Sequence, residues 1–431
     1  MTESTDVNLR PAAHPVDQTI CLPGSKSLTN RALLTGALAS GDSQIDGLLL
    51  ADDTRHMLQA LRQLGIEITV DETRRRATIM GCRGHWPESD ADLFCGNAGT
   101  AIRFLTAACC TGHGAYRLDG VRRMRERPIG ALVDALRDLG ANIGYEEQEG
   151  YCPLTIRGRG LRGGQIRFST TLSSQYVSAL LLASPLAAND VMIDVTGSLP
   201  SKPYVAMTLK VMHDFGVQTV EEKMERFIVP CRQTYTATRF DVEPDASAAS
   251  YFFAAAAVTG GRVTVDGLGL ESCQGDVNFV NVLERMGCRV EQGPRHTTVW
   301  GPSDGKLRGV DEDLNDMPDM AQTLAVLAAF ADGPTRIRNV TNLRIKETDR
   351  LFALSTELGK MNVPTEVHED GLSIQPHREP TATAIDTYED HRMAMSFALA
   401  GLRLDGMVIR DADCVNKTFP EFFELWTELV R

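Results

Sequence analysis

Apolar and polar positions along the chain fall into a pattern that recurs. Five segments read as the last turn of an amphipathic helix, a stop, and then a short strand: LRQLGIEITV, LRDLGANIGY, MHDFGVQTV, LERMGCRVEQ and LGKMNVPTEV. The stops are Gly65, Gly140, Gly216, Gly287 and Asn362. Glycine or asparagine after the last helical residue is the expected left-handed C-cap. Successive stops lie 75, 76, 71 and 75 residues apart, and the chain ends at LWTELVR, where a sixth copy is due. A second marker keeps step with the first. The segments SQIDGLLL, YRLDGVRR, VMIDVTGS, VTVDGLGL, TRIRNVTN and MVIRDADC align at Asp46, Asp119, Asp194, Asp266, Arg338 and Arg410. Two independent markers in phase define an internal repeat. The plainer alternative is a generic α/β chain with common Leu-Gly helix endings.

Each unit of about 72 residues holds several short strands and two helices, too little to bury a core of its own. Six copies therefore predict an α/β protein of two domains with three units each. The expected domains are residues 23–241, and residues 1–22 plus 242–431, with crossovers near 20–24 and 239–244. The leader 1–22 is expected to pair with the second half.

Composition narrows the function classes. The chain has 431 residues, 43% of them hydrophobic and 6% aromatic, and lacks any apolar run near the roughly 20 residues of a membrane span. Its start, MTESTDVNLRPAAHP, has neither the basic opening nor the apolar stretch of a signal peptide, so the expected location is the cytoplasm. Ten scattered cysteines without a CxxC pair read as free thiols in a reducing compartment. A net charge of −13 argues against nucleic acid or an anionic membrane as partner, but not against small anions in a local cationic cleft.

Polar residues cluster in loops that lead into helices, where free backbone N–H groups favour anions. LPGSKSLTNR (22–31) has a Gly-Ser turn followed by Lys26, Ser27 and Arg31, and in a helix Ser27 and Arg31 share a face, a grip for phosphate or carboxylate. It is not a Walker A loop, and a capped helix start with solvated charges reads the same way. GNAGTAIR (96–103) places small residues where a backbone approaches something closely, or where helix and turn simply pack. RRMRERP (122–128) reads either as a solvated basic loop or as an anion grip, and LSSQY (172–176) and SKPY (201–204) as polar caps or ligand contacts. In LRIKETDRL (343–351), Lys346 and Arg350 are expected four apart on one helix with Glu347 beside them. DHRMAMS (390–396) opens a strongly apolar helix with a charged triplet whose charges need partners. Asp316 and Asp319 precede another apolar helix, where N-capping is the bland account. Lys417, in NKTFPEFF, stands before the last helix.

These segments, with PDASAASY, match one family in order over residues 15–425: the chain resembles the enolpyruvyl transferases, on the branch that acts on shikimate-3-phosphate. The resemblance implies two domains, each of three βαβαββ repeats, in the inside-out α/β barrel of that family. It implies transfer of the enolpyruvyl group of phosphoenolpyruvate to the 5-hydroxyl of shikimate-3-phosphate with release of phosphate, in aromatic amino acid biosynthesis. It further implies inhibition by glyphosate, no metal or organic cofactor, and a monomer whose partners are its two small substrates.

Residue by residue, the family's shikimate-3-phosphate contacts fall on Lys26, Ser27, Arg31, Ser173, Ser174, Gln175, Ser201, Tyr204, Asp319, Asn342 and Lys346. Its phosphoenolpyruvate contacts fall on Lys26, Gly99, Arg127, Gln175, Arg350, Arg392 and Lys417. Asp319 resembles the base, Glu347 the proton donor, and Lys26 joins them in catalysis. The two substrates carry about six negative charges at most, and the matched positions supply seven cations from both halves of the chain. The UDP-N-acetylglucosamine branch typically carries a cysteine in the loop before its counterpart of Arg127, and residues 113–127 contain none. A non-catalytic repeat scaffold that binds anions is the alternative of another class. The pair Asp319 and Glu347 argues against it.

Overall fold

The computed structural model describes residues 5–169, 173–376 and 379–430. The first residues of the leader, Leu172 of the LSSQY segment and the terminal Arg431 lie outside the described residues. Contacts divide the chain into two compact units, one of Gly24–Glu243 and one of Met1–Pro23 with Pro244–Arg431.

In the unit Gly24–Glu243, three four-stranded sheets share one strand order. Ser40–Asp46 lies parallel to Arg239–Asp241 and antiparallel to Arg76–Cys82, which pairs in turn with Ile68–Asp71. His113–Asp119 is set in the same way between Asp90–Phe94 and Leu154–Arg159. Val191–Thr196 stands between Gly164–Ser169 and Arg226–Val229. Inside lie the helices Lys26–Leu38, Gly99–Thr111 and Ser174–Ala183, buried along nearly their whole length. Most of their side chains are apolar or small, and a helix of that kind is stable only when covered on every side, while buried Arg31 and Arg103 need polar partners. The helices Asp52–Gln63, Gly130–Asp138 and Lys202–Asp214 bury one face each.

The other unit repeats the theme with Ala246–Thr259, Ala321–Ala328 and His391–Gly401 as its buried helices. Two of its sheets have the same strand order, around Arg262–Asp266 and Thr335–Arg338. The leader supplies Asp17–Ile20 as the parallel neighbour of Arg262–Asp266. It also supplies Val7–Asn8, which pairs antiparallel with Val408–Ile409. Among the described residues every sheet is open, and none closes on itself.

Both sequence markers have a physical cause. Gly65, Gly140, Gly216, Gly287 and Asn362 have φ of +87°, +98°, +84°, +104° and +61°, the left-handed region that turns the chain from helix to strand. At Asp46, Asp194 and Arg338 the charged marker pairs with the opposite charge on a neighbouring strand. Asp46 meets Arg76, Asp194 meets Arg226 at 2.6 Å, and Arg338 meets Asp311 with the signs reversed. At Asp46 and Asp194 the partner is arginine and at Arg338 it is aspartate, so the marker changes sign without losing the pair.

Candidate functional site

The chemistry-bearing segments sit at the N-terminal ends of the buried helices, and each unit has its own cluster. In the unit that holds residues 244–431 the centre is Arg350, 1% exposed at the first position of the helix Arg350–Lys360. Its guanidinium donates to three carboxylates: Asp390 Oδ2 at 2.7 Å, Asp319 Oδ1 at 2.9 Å and Glu347 Oε2 at 2.9 Å. Burial works against this charge, and the coulombic fields of Asp390, Glu347 and Asp319 more than offset it, so the pKa of Arg350 is raised. Arg392 donates to Asp319 Oδ2 at 2.8 Å and to the Tyr251 hydroxyl at 3.2 Å. Lys346 lies 3.9 Å from Asp319 and Lys417 3.9 Å from Glu347. Burial pushes the Tyr251 phenol up to about 12, so it stays protonated at neutral pH. Asn342 is buried on the turn Thr341–Ile345, and its side-chain carbonyl oxygen has no hydrogen-bond partner.

Local structure differs from the sequence expectation in two places here. Lys346 and Arg350 do not share a helix: Thr341–Ile345 is a 3₁₀ turn, and the helix begins only at Arg350. The Asp349 side chain accepts from Phe352 N and caps the helix there, an N-cap signal stronger than the i,i+4 spacing across it. Neither Asp316 nor Asp319 caps Ala321–Ala328 through its side chain, because a 3₁₀ turn, Pro318–Met320, intervenes and leaves Asp319 to the arginines.

In the unit Gly24–Glu243, Ser25 caps the helix that carries Lys26, Ser27 and Arg31. Lys26 Nζ lies 3.4 Å from the buried carboxylate of Asp53. Arg31 is 1% exposed, deeper than a surface grip would be. It donates to Thr208 Oγ1 at 2.8 Å, Ser178 Oγ at 3.3 Å, and the backbone carbonyls of Ser27 and Tyr204 at 2.9 Å each. Its guanidinium also lies over the Phe104 ring. Ser201 precedes Lys202–Asp214 with φ +56°, a strained setting for a residue with a side chain. Ser173 caps the helix of Ser174 and Gln175, and the Gln175 amide reaches Thr100 Oγ1 at 3.5 Å.

Gly99 opens Gly99–Thr111 directly against arginines. A Cβ there would stand 2.6 Å from Arg127 Nη2 and 2.6 Å from Arg103 Nη1, so the missing side chain is what admits both. Arg127 donates to the Asn97 side-chain oxygen at 3.1 Å and to its backbone carbonyl at 3.2 Å. Of the basic run 122–128, Arg127 is buried, while the Arg122 side chain is 95% exposed and pairs with Glu126.

The structure thus brings Asp319, Glu347, Lys346, Arg350, Arg392 and Lys417 into one cluster. Sequence reasoning passed over Asp390, Tyr251, Asp53 and Arg103. The charged triplet 390–392 and the GNAGTAIR and PDASAASY segments held three of them. Asp53 offered only the sign of an acid in a helix's first turn. Among the described residues no group of three or more His, Cys, Asp or Glu side chains is arranged to hold a metal ion.

A two-unit α/β protein with buried arginines and carboxylates gathered at helix N-termini has the makings of an enzyme for small polyanions. Comparison with known proteins gives the class a name. The family model of EPSP synthase (3-phosphoshikimate 1-carboxyvinyltransferase) matches residues 11–426. A 3-phosphoshikimate 1-carboxyvinyltransferase of Sulfurovum sp. is 50% identical over 97% of this chain and 98% of its own length. That of Nostoc sp. is 48% identical over 96% and 97%. Among solved structures, EPSP synthase from Acinetobacter baumannii superposes with a TM-score of 0.82 at 26% identity over 98% of both chains. The enolpyruvyl transferase NikO from Streptomyces tendae shares the fold, with a TM-score of 0.79 at 18% identity over 99% of this chain and 98% of its own. The chain belongs to the EPSP synthase family.

Proposed function

We propose that the chain transfers the enolpyruvyl group of phosphoenolpyruvate to the 5-hydroxyl of shikimate-3-phosphate and releases phosphate, a step of the shikimate pathway. Family membership supports the reaction. The observation that supports a catalytic rather than a merely binding role is the buried cluster around Arg350, whose guanidinium holds both assigned carboxylates, Asp319 and Glu347, beside Asp390.

In this reading Asp319 takes the hydroxyl proton as the oxygen attacks the enol carbon, and Glu347 gives a proton to the methylene. The tetrahedral adduct then loses phosphate as the methyl group gives a proton back and the double bond re-forms. Both carboxylate oxygens of Asp319 accept from arginines, Oδ1 from Arg350 and Oδ2 from Arg392. The carboxylate and phosphate of phosphoenolpyruvate compete for the same guanidinium groups and release Asp319 to act. The phosphoenolpyruvate set is Lys26, Gly99, Arg127, Gln175, Arg350, Arg392 and Lys417. The shikimate-3-phosphate set is Lys26, Ser27, Arg31, Ser173, Ser174, Gln175, Ser201, Tyr204, Asp319, Asn342 and Lys346. Tyr204 packs on the shikimate ring, and Arg31 fixes the backbone of that tyrosine.

The shared strand order and the buried helices support three βαβαββ repeats per unit with helices inside and sheets outside. Ten free cysteines suit the reducing cytoplasm, and the protein acts there as a monomer. No helix among the described residues is long and apolar enough to cross a membrane. Phosphate release from phosphoenolpyruvate tests the function: it must require shikimate-3-phosphate, and release without it, or none with it, ends the proposal.

A further inference from the structure

We infer that Glu357, which no substrate assignment includes, is a positioning residue that holds the phosphoenolpyruvate end of the Arg350 cluster in register. The inference rests on the proposed role of Arg350 and Arg392 in binding that substrate. Glu357 is fully buried on the helix Arg350–Lys360, seven residues after Arg350, so both project from one face two turns apart. A buried carboxylate is costly unless it is well bonded, and this one is. Its Oε1 accepts from the Tyr388 hydroxyl at 2.6 Å, and its Oε2 from Lys360 Nζ at 2.7 Å and from the backbone N–H of Asp386 at 3.0 Å.

The partners reveal the purpose of the bonds. Asp386 and Tyr388 belong to the segment that runs into Asp390, the carboxylate that grips Arg350 and caps His391–Gly401. The segment therefore lies along one helix face and is tied to it twice, by Glu357 at one end and by Arg350 at the other. Between the ties, Tyr388 and Glu389 have φ of +56° and +55°, two consecutive non-glycine residues in the left-handed region. Such a bend persists only where its surroundings over-determine it. Further bonds hold the outer side: Lys360 and Arg410 reach the Asp386 carboxylate at 2.7 and 3.1 Å, and Asp390 N donates to Thr387 O at 2.9 Å. The Lys360 hydrogen bond keeps the Asp386 carboxyl below the usual range, so the tie remains ionic at neutral pH. Burial first, and then the bond to Glu357, pushes the Tyr388 phenol up, so it stays a donor. Loss of the Glu357 tie frees the bend to relax, and Asp390, Arg350 and Arg392 shift with it.

Steady-state kinetics of the full chain test this, with each substrate varied at saturation of the other. Glu357→Gln is expected to raise KM for phosphoenolpyruvate about tenfold, on the scale of a lost charged hydrogen bond, with KM for shikimate-3-phosphate unchanged. Tyr388→Phe removes one donor, and it is expected to shift the same constant in the same direction by a smaller factor. It carries the test should Glu357→Gln not fold. Leu358→Ala, a buried apolar truncation on the same helix, is the control. It should lower the melting temperature without moving either KM, which separates positioning from general loosening. Arg392→Ala is measured in parallel. If it raises KM for phosphoenolpyruvate while folded Glu357→Gln and Tyr388→Phe match wild type, the positioning role is wrong and the substrate reading stands. If Arg392→Ala leaves that KM unmoved, the substrate reading fails and the inference falls with it.

Discussion

The two clusters solve the same problem, a buried arginine, with different partners. Around Arg350 and Arg392 the acceptors include the carboxylates of Asp319, Glu347 and Asp390. Around Arg31 and Arg127 they include hydroxyls, backbone carbonyls and the Asn97 amide. Hydroxyls and carbonyls bonded to a guanidinium do not neutralise its charge. A guanidinium bonded to carboxylates holds groups that move protons, and it is available to an anion only by exchange. In the proposed reading the first arrangement serves binding, and the second serves binding together with proton transfer. The contrast makes separate demands on kcat and on affinity.

The largest expected effect is at Glu347. Glu347→Gln keeps the shape and an acceptor for Arg350 but removes the transferable proton. General acid catalysis is typically worth about 10²–10⁴-fold, so kcat should fall by at least about 100-fold. Shikimate-3-phosphate affinity by titration should be near normal. Retention of most of the turnover would sink the division of labour between the clusters.

Arg31→Ala probes the neutral-acceptor side. Loss of a charged hydrogen bond costs about 1.5–3 kcal/mol, so shikimate-3-phosphate affinity should drop roughly 10- to 150-fold. Because the side chain is buried and bonded to Thr208 and Ser178, stability should fall as well. Urea unfolding should register a loss of about 2–4 kcal/mol. A large affinity loss with full stability would mean that Arg31 leaves its internal bonds when ligand arrives.

Gly99→Ala should have a moderate effect. Its Cβ would stand 2.6 Å from Arg127 Nη2, so the guanidinium must shift. Overpacking typically costs about 1–3 kcal/mol. Glyphosate should inhibit the wild type competitively with phosphoenolpyruvate, and the variant should show an inhibition constant several-fold higher, with a smaller rise in KM. Equal inhibition constants for the two proteins would remove Gly99 from the site.

How much of this could be read from the sequence depends on how far apart the partners lie. The left-handed stops at Gly65 or Asn362 are local, set by one residue and its helix, and periodicity exposed them. Glu347 and Arg350 are three apart and were visible as one motif. Asp390 is 40 residues from Arg350 and reaches it through the bend at Tyr388 and Glu389, which no local propensity favours. The depth of Arg31 was hidden for a different reason. Its neighbours Thr208 and Ser178 come from two other helices, and an arginine four residues after a serine looks like a surface grip until those helices are packed. The helix that spacing predicts across 343–351 begins only at Arg350, because the Asp349 side chain caps it there.

The smallest effect expected lies one step away from the neutral-acceptor cluster. There a carboxylate does hold arginines, but outside the site. Asp119 accepts from Arg125 Nε at 2.9 Å and Nη2 at 2.6 Å, from Arg117 Nη2 at 3.1 Å and from Gly120 N at 2.7 Å. Burial raises its pKa, yet the bonds from Arg125, Gly120 and Arg117 prevail and leave it below its ordinary value of 3.8. A depressed folded-state pKa means that the ionised form stabilises the fold. That contribution is full above about pH 3.8, the unfolded-state value, and is lost as the pH falls through the lower folded-state value. Asp119→Asn should therefore destabilise by roughly 1 kcal/mol at pH 7, since solvent screens part of the pairing. The gap to wild type in urea midpoint should stay constant from pH 7 to pH 5 and narrow only in stronger acid. Catalysis should change little, because the carboxylate supports the loop before Arg127 rather than the reacting groups. A gap that widened in acid would reverse the sign of the coupling. A large fall in kcat would place a catalytic carboxylate in the unit Gly24–Glu243 as well.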